Sequence, residues 1–75
     1  MSGVKTKLSE VDKEVIRYLA EAGLNANKAA RISHYHRNTI EYHIASIREL
    51  TGLDPRNFFD FCKLYEIAIK EMEEE

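Results

Sequence analysis

The stretch 33-SHYHRNTIEYHI-44 decides how this 75-residue chain is read. Two histidines bracket a tyrosine, an Arg-Asn-Thr triplet follows, and isoleucines return at Ile40 and Ile44. Ile47 and Leu50 continue the series at steps of three, which is the stripe of an amphipathic helix lying on a core. The polar residues in between therefore fall on the flanks and outer face of that helix. It runs to about Thr51, where Gly52 ends it.

Working outward, 25-NANKAARIS-33 reads as a short helix with Asn25 as N-cap, its alanines allowing another helix to approach closely. Before it, 8-LSEVDKEVIRYLAEAG-23 opens with Ser9 and places Asp12 three residues on, close to a capping box, with Leu8 as staple residue. Val11, Val15, Ile16 and Leu19 form its stripe, and Gly23 is a terminator. After Gly52, Asp54 fits an N-cap and Pro55 a first helical position. Phe58, Phe61, Cys62, Tyr65, Ile69 and Met72 then recur at helical spacing, with Phe59 and Leu64 widening the face. The expectation is an all-α, single four-helix domain over 1–75. It comprises a flexible N-terminus at 1–8, a helix-turn-helix at 25–51, a C-terminal helix at 55–72 and a frayed acidic tail at 73–75.

A chain this short has a modest core, so pairing with a second copy would help its stability. Its single cysteine, Cys62, excludes an internal disulfide and suits a reducing, cytoplasmic setting. Its neighbours Phe61 and Leu64 point to a buried apolar residue rather than a nucleophile. No apolar run is long enough for a membrane span. The net charge of −2 conceals a gradient. Residues 1–24 hold four basic and four acidic groups, residues 25–53 four against two, and residues 54–75 three against seven. The middle of the chain is its basic part.

A short helix, a tight turn around His34, Tyr35 and His36, and a second helix with a polar outer face describe a helix-turn-helix. At 100° per residue, with Ile40, Ile44 and Ile47 toward the core, the opposite face holds Asn38, Tyr42, Ala45 and Glu49. Arg37, Glu41 and Arg48 lie on one flank. Arginine contacts guanine bidentately and asparagine does the same to adenine. Thr39, Lys28 and Arg31 are placed to reach phosphates. His43 lies about 60° from the core stripe, which suits half-buried packing better than base contact. Any surface helix shows polar residues opposite its stripe, so the pattern alone also admits a plain solvated face.

The residues 26-ANKAARISHYHRNTIEYHIASIRELTGLDPRNF-58 resemble the C-terminal helix-turn-helix domain of the PucR and sugar-diacid regulator family. The resemblance is carried by Ala30, His36-Arg37-Asn38-Thr39, Tyr42, Ile47, Glu49-Leu50-Thr51-Gly52-Leu53 and Asp54, and it spans roughly residues 14–70. Fis-type domains share the plan but match the Glu49–Pro55 segment less well. The resemblance implies a sequence-specific bacterial transcription regulator with residues 37–51 as recognition helix, and it assigns His36, Arg37, Asn38 and Tyr42 to the DNA face. The chain departs from the family at Ser33, where a leucine is usual and Ile32 is expected to take over the packing. It departs again at Glu41 and His43, where basic residues are common. Family members carry sensory domains ahead of this module, so the expectation is a stand-alone protein or a fragment.

The expected partners are double-stranded DNA and a second copy of the chain. The DNA-contacting set is Lys28, Arg31, His36, Arg37, Asn38, Thr39, Glu41, Tyr42 and Arg48. No membrane, cofactor or small-molecule site is expected. His34, His36 and His43 could be gathered as metal ligands, but their spacing is unremarkable and solvated or capping roles are preferred. No nucleophile–base–acid set suggests an enzyme. The rival reading is a helical interaction or dimerisation module that has lost DNA binding. Phe58, Phe59, Phe61 and Tyr65 are expected mostly in the core, and in that reading one or two of them left exposed would mark a dimer interface.

Overall fold

The computed structural model describes residues 8–73, with side chains as far as Glu71, and contains four helices. These are α1 (Glu10–Glu21), α2 (Ala26–Ser33), α3 (Arg37–Thr51) and α4 (Phe58–Glu73). The expected flexible segment and frayed tail fall largely on residues 1–7 and 74–75, which lie outside the described residues. Leu8, grouped with that segment in the sequence reading, is instead buried.

Helix α1 is the hub, since α2, α3 and α4 each pack on it and α2 also packs on α3. Its start is the capping box read from Ser9 and Asp12. The Ser9 hydroxyl accepts from the Asp12 N–H at 3.0 Å and the Asp12 carboxylate accepts from the Ser9 N–H at 3.2 Å. At the other end Gly23 takes φ +67, so the Leu24 N–H reaches the Leu19 carbonyl at 2.8 Å and closes the helix. Val15, Ile16 and Leu19 of α1 meet Ala29 of α2, Ile40, Ile44 and Ile47 of α3, and Phe61, Leu64 and Ala68 of α4 in one core. Ala29 is fully buried, and its small side chain lets α2 sit close.

The structure corrects several expectations. Leu50 is exposed rather than part of the α3 stripe, because ten residues at 100° each carry it about 80° away from Ile40. Helix α4 begins at Phe58 and not beside Pro55. Asp54 instead closes a turn: its carboxylate accepts from the Arg56 N–H at 2.9 Å and its carbonyl from the Asn57 N–H at 3.0 Å. The capping duty passes to Asn57, whose side chain accepts from the Asp60 N–H at 3.0 Å. The Asp60 carboxylate reaches back to the Asp54 N–H at 3.1 Å. Cys62, Phe58, Phe59 and Tyr65, expected inside, are exposed, and Ile32 is exposed as well. No helix among the described residues is long and apolar enough to cross a membrane.

Candidate nucleic-acid interface

The turn between α2 and α3 is three residues long and each does a definable job. His34 ends α2 in the left-handed region, at φ +68, with its N–H on the Ala30 carbonyl at 3.0 Å. A non-glycine residue there carries a conformational cost. Ser33 sets up the reversal, donating its hydroxyl to the Ala30 carbonyl at 3.3 Å while accepting from the Tyr35 N–H at 3.1 Å. Tyr35 packs at the edge of the core and donates its phenol to Glu14 of α1 at 2.5 Å. The packing expected of Ile32 therefore falls to Tyr35, two positions past the departure at Ser33. The hydrogen bond to the Glu14 carboxylate raises the Tyr35 pKa above its ordinary value, with partial burial and the Glu14 charge adding to it.

His36 is the N-cap of α3, its Nδ1 accepting from the Asn38 N–H at 3.0 Å. Serine, threonine, aspartate and asparagine dominate this position, and His36 here takes the capping role preferred above to metal ligation. With Nδ1 accepting, the ring proton sits on Nε2, available as a donor.

Along α3 the outer face is as the angular count places it. Asn38, Tyr42, Ala45 and Glu49 are exposed, Tyr42 at 68 %, and Arg37 and Arg48 flank them, also exposed. Thr39 is half-buried. Glu41 is not a bare negative charge. Arg37 Nη2 lies 3.6 Å from its carboxylate, and Arg56, from the turn before α4, bonds the other oxygen. Glu41, Ala45, Arg48 and Arg56 line one shallow hollow of about 190 Å³. The structure thus gathers Arg37, Glu41 and Arg48, and it adds Arg56, which sequence reading passed over. The signal was present only as a basic residue next to the one proline; its proximity to α3 depends on how the loop folds back. Lys28 and Arg31 are exposed on α2 and stand apart from this cluster.

The outer face is held in place from behind. His43 is largely buried, and its Nδ1 lies 2.6 Å from Asp12 Oδ1. The other oxygen of Asp12 takes the Ser9 N–H. One buried carboxylate therefore both starts α1 and ties α3 to it. On the solvent side, the His43 ring meets Tyr42 edge to face, with centroids 5.2 Å apart. Lys13, also buried, lies 3.5 Å from Glu10 and 4.0 Å from Glu71, which links α1 to α4. A buried cation is tolerable only with such partners. The three histidines have separate local roles, and no group of three or more His, Cys, Asp or Glu residues comes together as a metal site among the described residues.

The family model described as the PucR C-terminal helix-turn-helix domain matches residues 13–69, which covers all the elements just described except the ends of α1 and α4. Nothing matches among the curated proteins or among the solved structures.

Proposed function

The chain belongs to the family of PucR C-terminal helix-turn-helix domains, and from that premise we propose that it binds double-stranded DNA in a sequence-specific manner with α3 in the major groove. The supporting observation is the outer face of α3, where exposed Asn38 and Tyr42 sit beside Arg37 and Arg48 and the small Ala45 lets the helix approach closely. Arg37 and Asn38, in the first turn, read base edges. Tyr42, steadied by the His43 ring, contacts a base or the backbone. Lys28, Arg31, Thr39, Arg48 and the Nε2 donor of His36 contact phosphates, which set register without reading sequence. Glu41 keeps Arg37 and Arg56 partly neutralised in the free protein and is a candidate acceptor for cytosine N4 in the complex. Two copies acting on one operator turn weak half-site contacts into useful affinity. The protein works as a transcription regulator in the compartment that holds the DNA, the cytoplasm of a bacterial cell.

Selection of bound duplexes from a random DNA pool at low salt tests this. Enrichment of a pseudo-palindrome, with binding that weakens steeply as salt rises, is the expected result. A folded protein that enriches no sequence would overturn sequence-specific binding.

A further inference from the structure

Helix α4 carries more apolar surface than α1 covers. Phe61, Leu64 and Ala68 go to the core, and among the described residues α1 is the helix whose backbone comes close to α4. A second series, Phe58, Cys62, Tyr65 and Ile69, follows at spacings of four, three and four, which is the heptad rhythm of a helix–helix seam. Most of this series is open to solvent: Phe58 is 64 % exposed, its neighbour Phe59 76 % and Tyr65 40 %, with Cys62 exposed between them and Ile69 half-buried. Three of its members, Phe58, Cys62 and Tyr65, together with Phe61, line a groove of about 490 Å³ whose other lining residues are Ala20, Gly23 and Leu24. Protruding rings next to an apolar groove form a surface that can fit its own copy.

We propose that this face of α4 is a homodimer interface in which the α4 helices of two copies pack antiparallel, with Phe58 of each copy seated against Ile69 of the other and Cys62 against Tyr65. The proposal names the surface for the pairing of copies suggested above, but α4 alone carries it and DNA binding is not needed for it. Two observations fix the occupant and its direction. A phenylalanine or tyrosine buries ~150–250 Å², so the exposed parts of the three rings leave on the order of 350 Å² of apolar surface in water. That is a fitting centre for an interface of ~800 Å² per partner, the remainder coming from the groove walls and the polar rim. The direction follows from charge. A parallel pair would bring the C-terminal ends of both α4 helices to the same end of the seam, where the sequence 71-EMEEE-75 is acidic in each copy, and like charges repel. The antiparallel register instead sends the two acidic chain ends to opposite ends of the seam.

Sedimentation equilibrium of the full chain without DNA tests the pairing. The expected result is a monomer–dimer equilibrium at concentrations up to about 100 μM, shifted at least tenfold toward monomer by Phe59→Glu with helical content unchanged. Should that variant lose helicity, Cys62→Glu on the same face provides the comparison. A wild-type chain that stays monomeric throughout that range overturns the proposal, and so does a dimer that survives these substitutions. The direction is tested by thiol cross-linking of Phe58→Cys and Ile69→Cys, each made in a Cys62→Ser background. An equal mixture should cross-link as mixed dimers, whereas each variant cross-linking only with itself would establish a parallel pair and overturn the register. Because these measurements omit DNA, failure of the dimer proposal and failure of operator selection are read separately.

Discussion

The core leaves the outer faces of both α3 and α4 in water, and the two are opposite in character. On α3 the isoleucine stripe is used up by the core, and what remains is mainly polar, the amide of Asn38, the guanidinium groups of Arg37 and Arg48, the phenol of Tyr42 and the carboxylate of Glu49, with Ala45 and Leu50 as its apolar members. On α4 the core takes Phe61, Leu64 and Ala68 and leaves a second, aromatic stripe uncovered. The contrast separates two kinds of unfinished surface. A polar face is complete without a partner, so its function must be argued from the chemistry of particular residues. An apolar face of this size is itself an argument for a partner.

The comparison breaks first within α4. Leu64→Ala removes a fully buried side chain and should cost about 2–5 kcal/mol, enough to unfold much of a domain this small. Phe59→Ala, measured at concentrations where the chain is monomeric, should stay within about 0.5 kcal/mol of the parent. Urea denaturation of the pair decides whether α4 has two functionally distinct stripes. Equal losses would mean that the exposed rings are structural.

The next effect is at Asp12, where the polar face of α3 is anchored. Asp12→Ala removes both the acceptor of the α1 capping box and the partner of His43, and should cost about 2–4 kcal/mol. His43→Ala should recover part of that loss in the double variant, because the two residues share one contact. A cost under about 0.5 kcal/mol for Asp12→Ala would mean that α3 is held by apolar packing alone.

On the DNA side, Glu41→Gln releases Arg37 and Arg56 from their shared carboxylate. Affinity for random duplex should rise several-fold, with the salt slope steepening by about one phosphate contact, ~0.9. Asn38→Ala should relax sequence preference, whereas Lys28→Ala should lower affinity evenly across sequences. Identical behaviour of those two variants on a panel of sites would remove the division between reading and positioning residues.

The smallest effect concerns the turn. Tyr35 has its pKa raised chiefly by the bond to Glu14, so the native state holds that proton more tightly than the unfolded chain does. The resulting stabilisation is complete below about pH 10, the ordinary tyrosine value, and is lost as pH rises from there through the folded value. Thermal melts between pH 9 and about 11 should show this alkaline loss, and Tyr35→Phe should abolish it.

Much of the fold was legible because local physics writes it into short windows. Ser9 with Asp12, Gly23, Asn25 and Gly52 mark helix ends through hydrogen bonds and φ preferences that involve only their neighbours. The isoleucine stripe of α3 likewise needs nothing but helical periodicity, and the same count correctly set Asn38, Tyr42 and Ala45 outside and His43 partly inside. The start of α4 was misplaced because Asp54 and Pro55 also suit a turn, and the choice lay with Asn57 and Asp60 further along.

What the sequence by itself determined, then, is the number of helices, most of their ends and the outward face of α3. The tertiary structure alone decided which apolar stripe of α4 is core, that Cys62 and Ile32 are exposed, that Asp12 meets His43 across 31 residues of chain, and that Arg56 joins Arg37 around Glu41. Caps and periodicity are settled within a turn or two of backbone. Burial and charge pairing depend on which other helix arrives, and among the described residues the helix that lies close against α4 is α1.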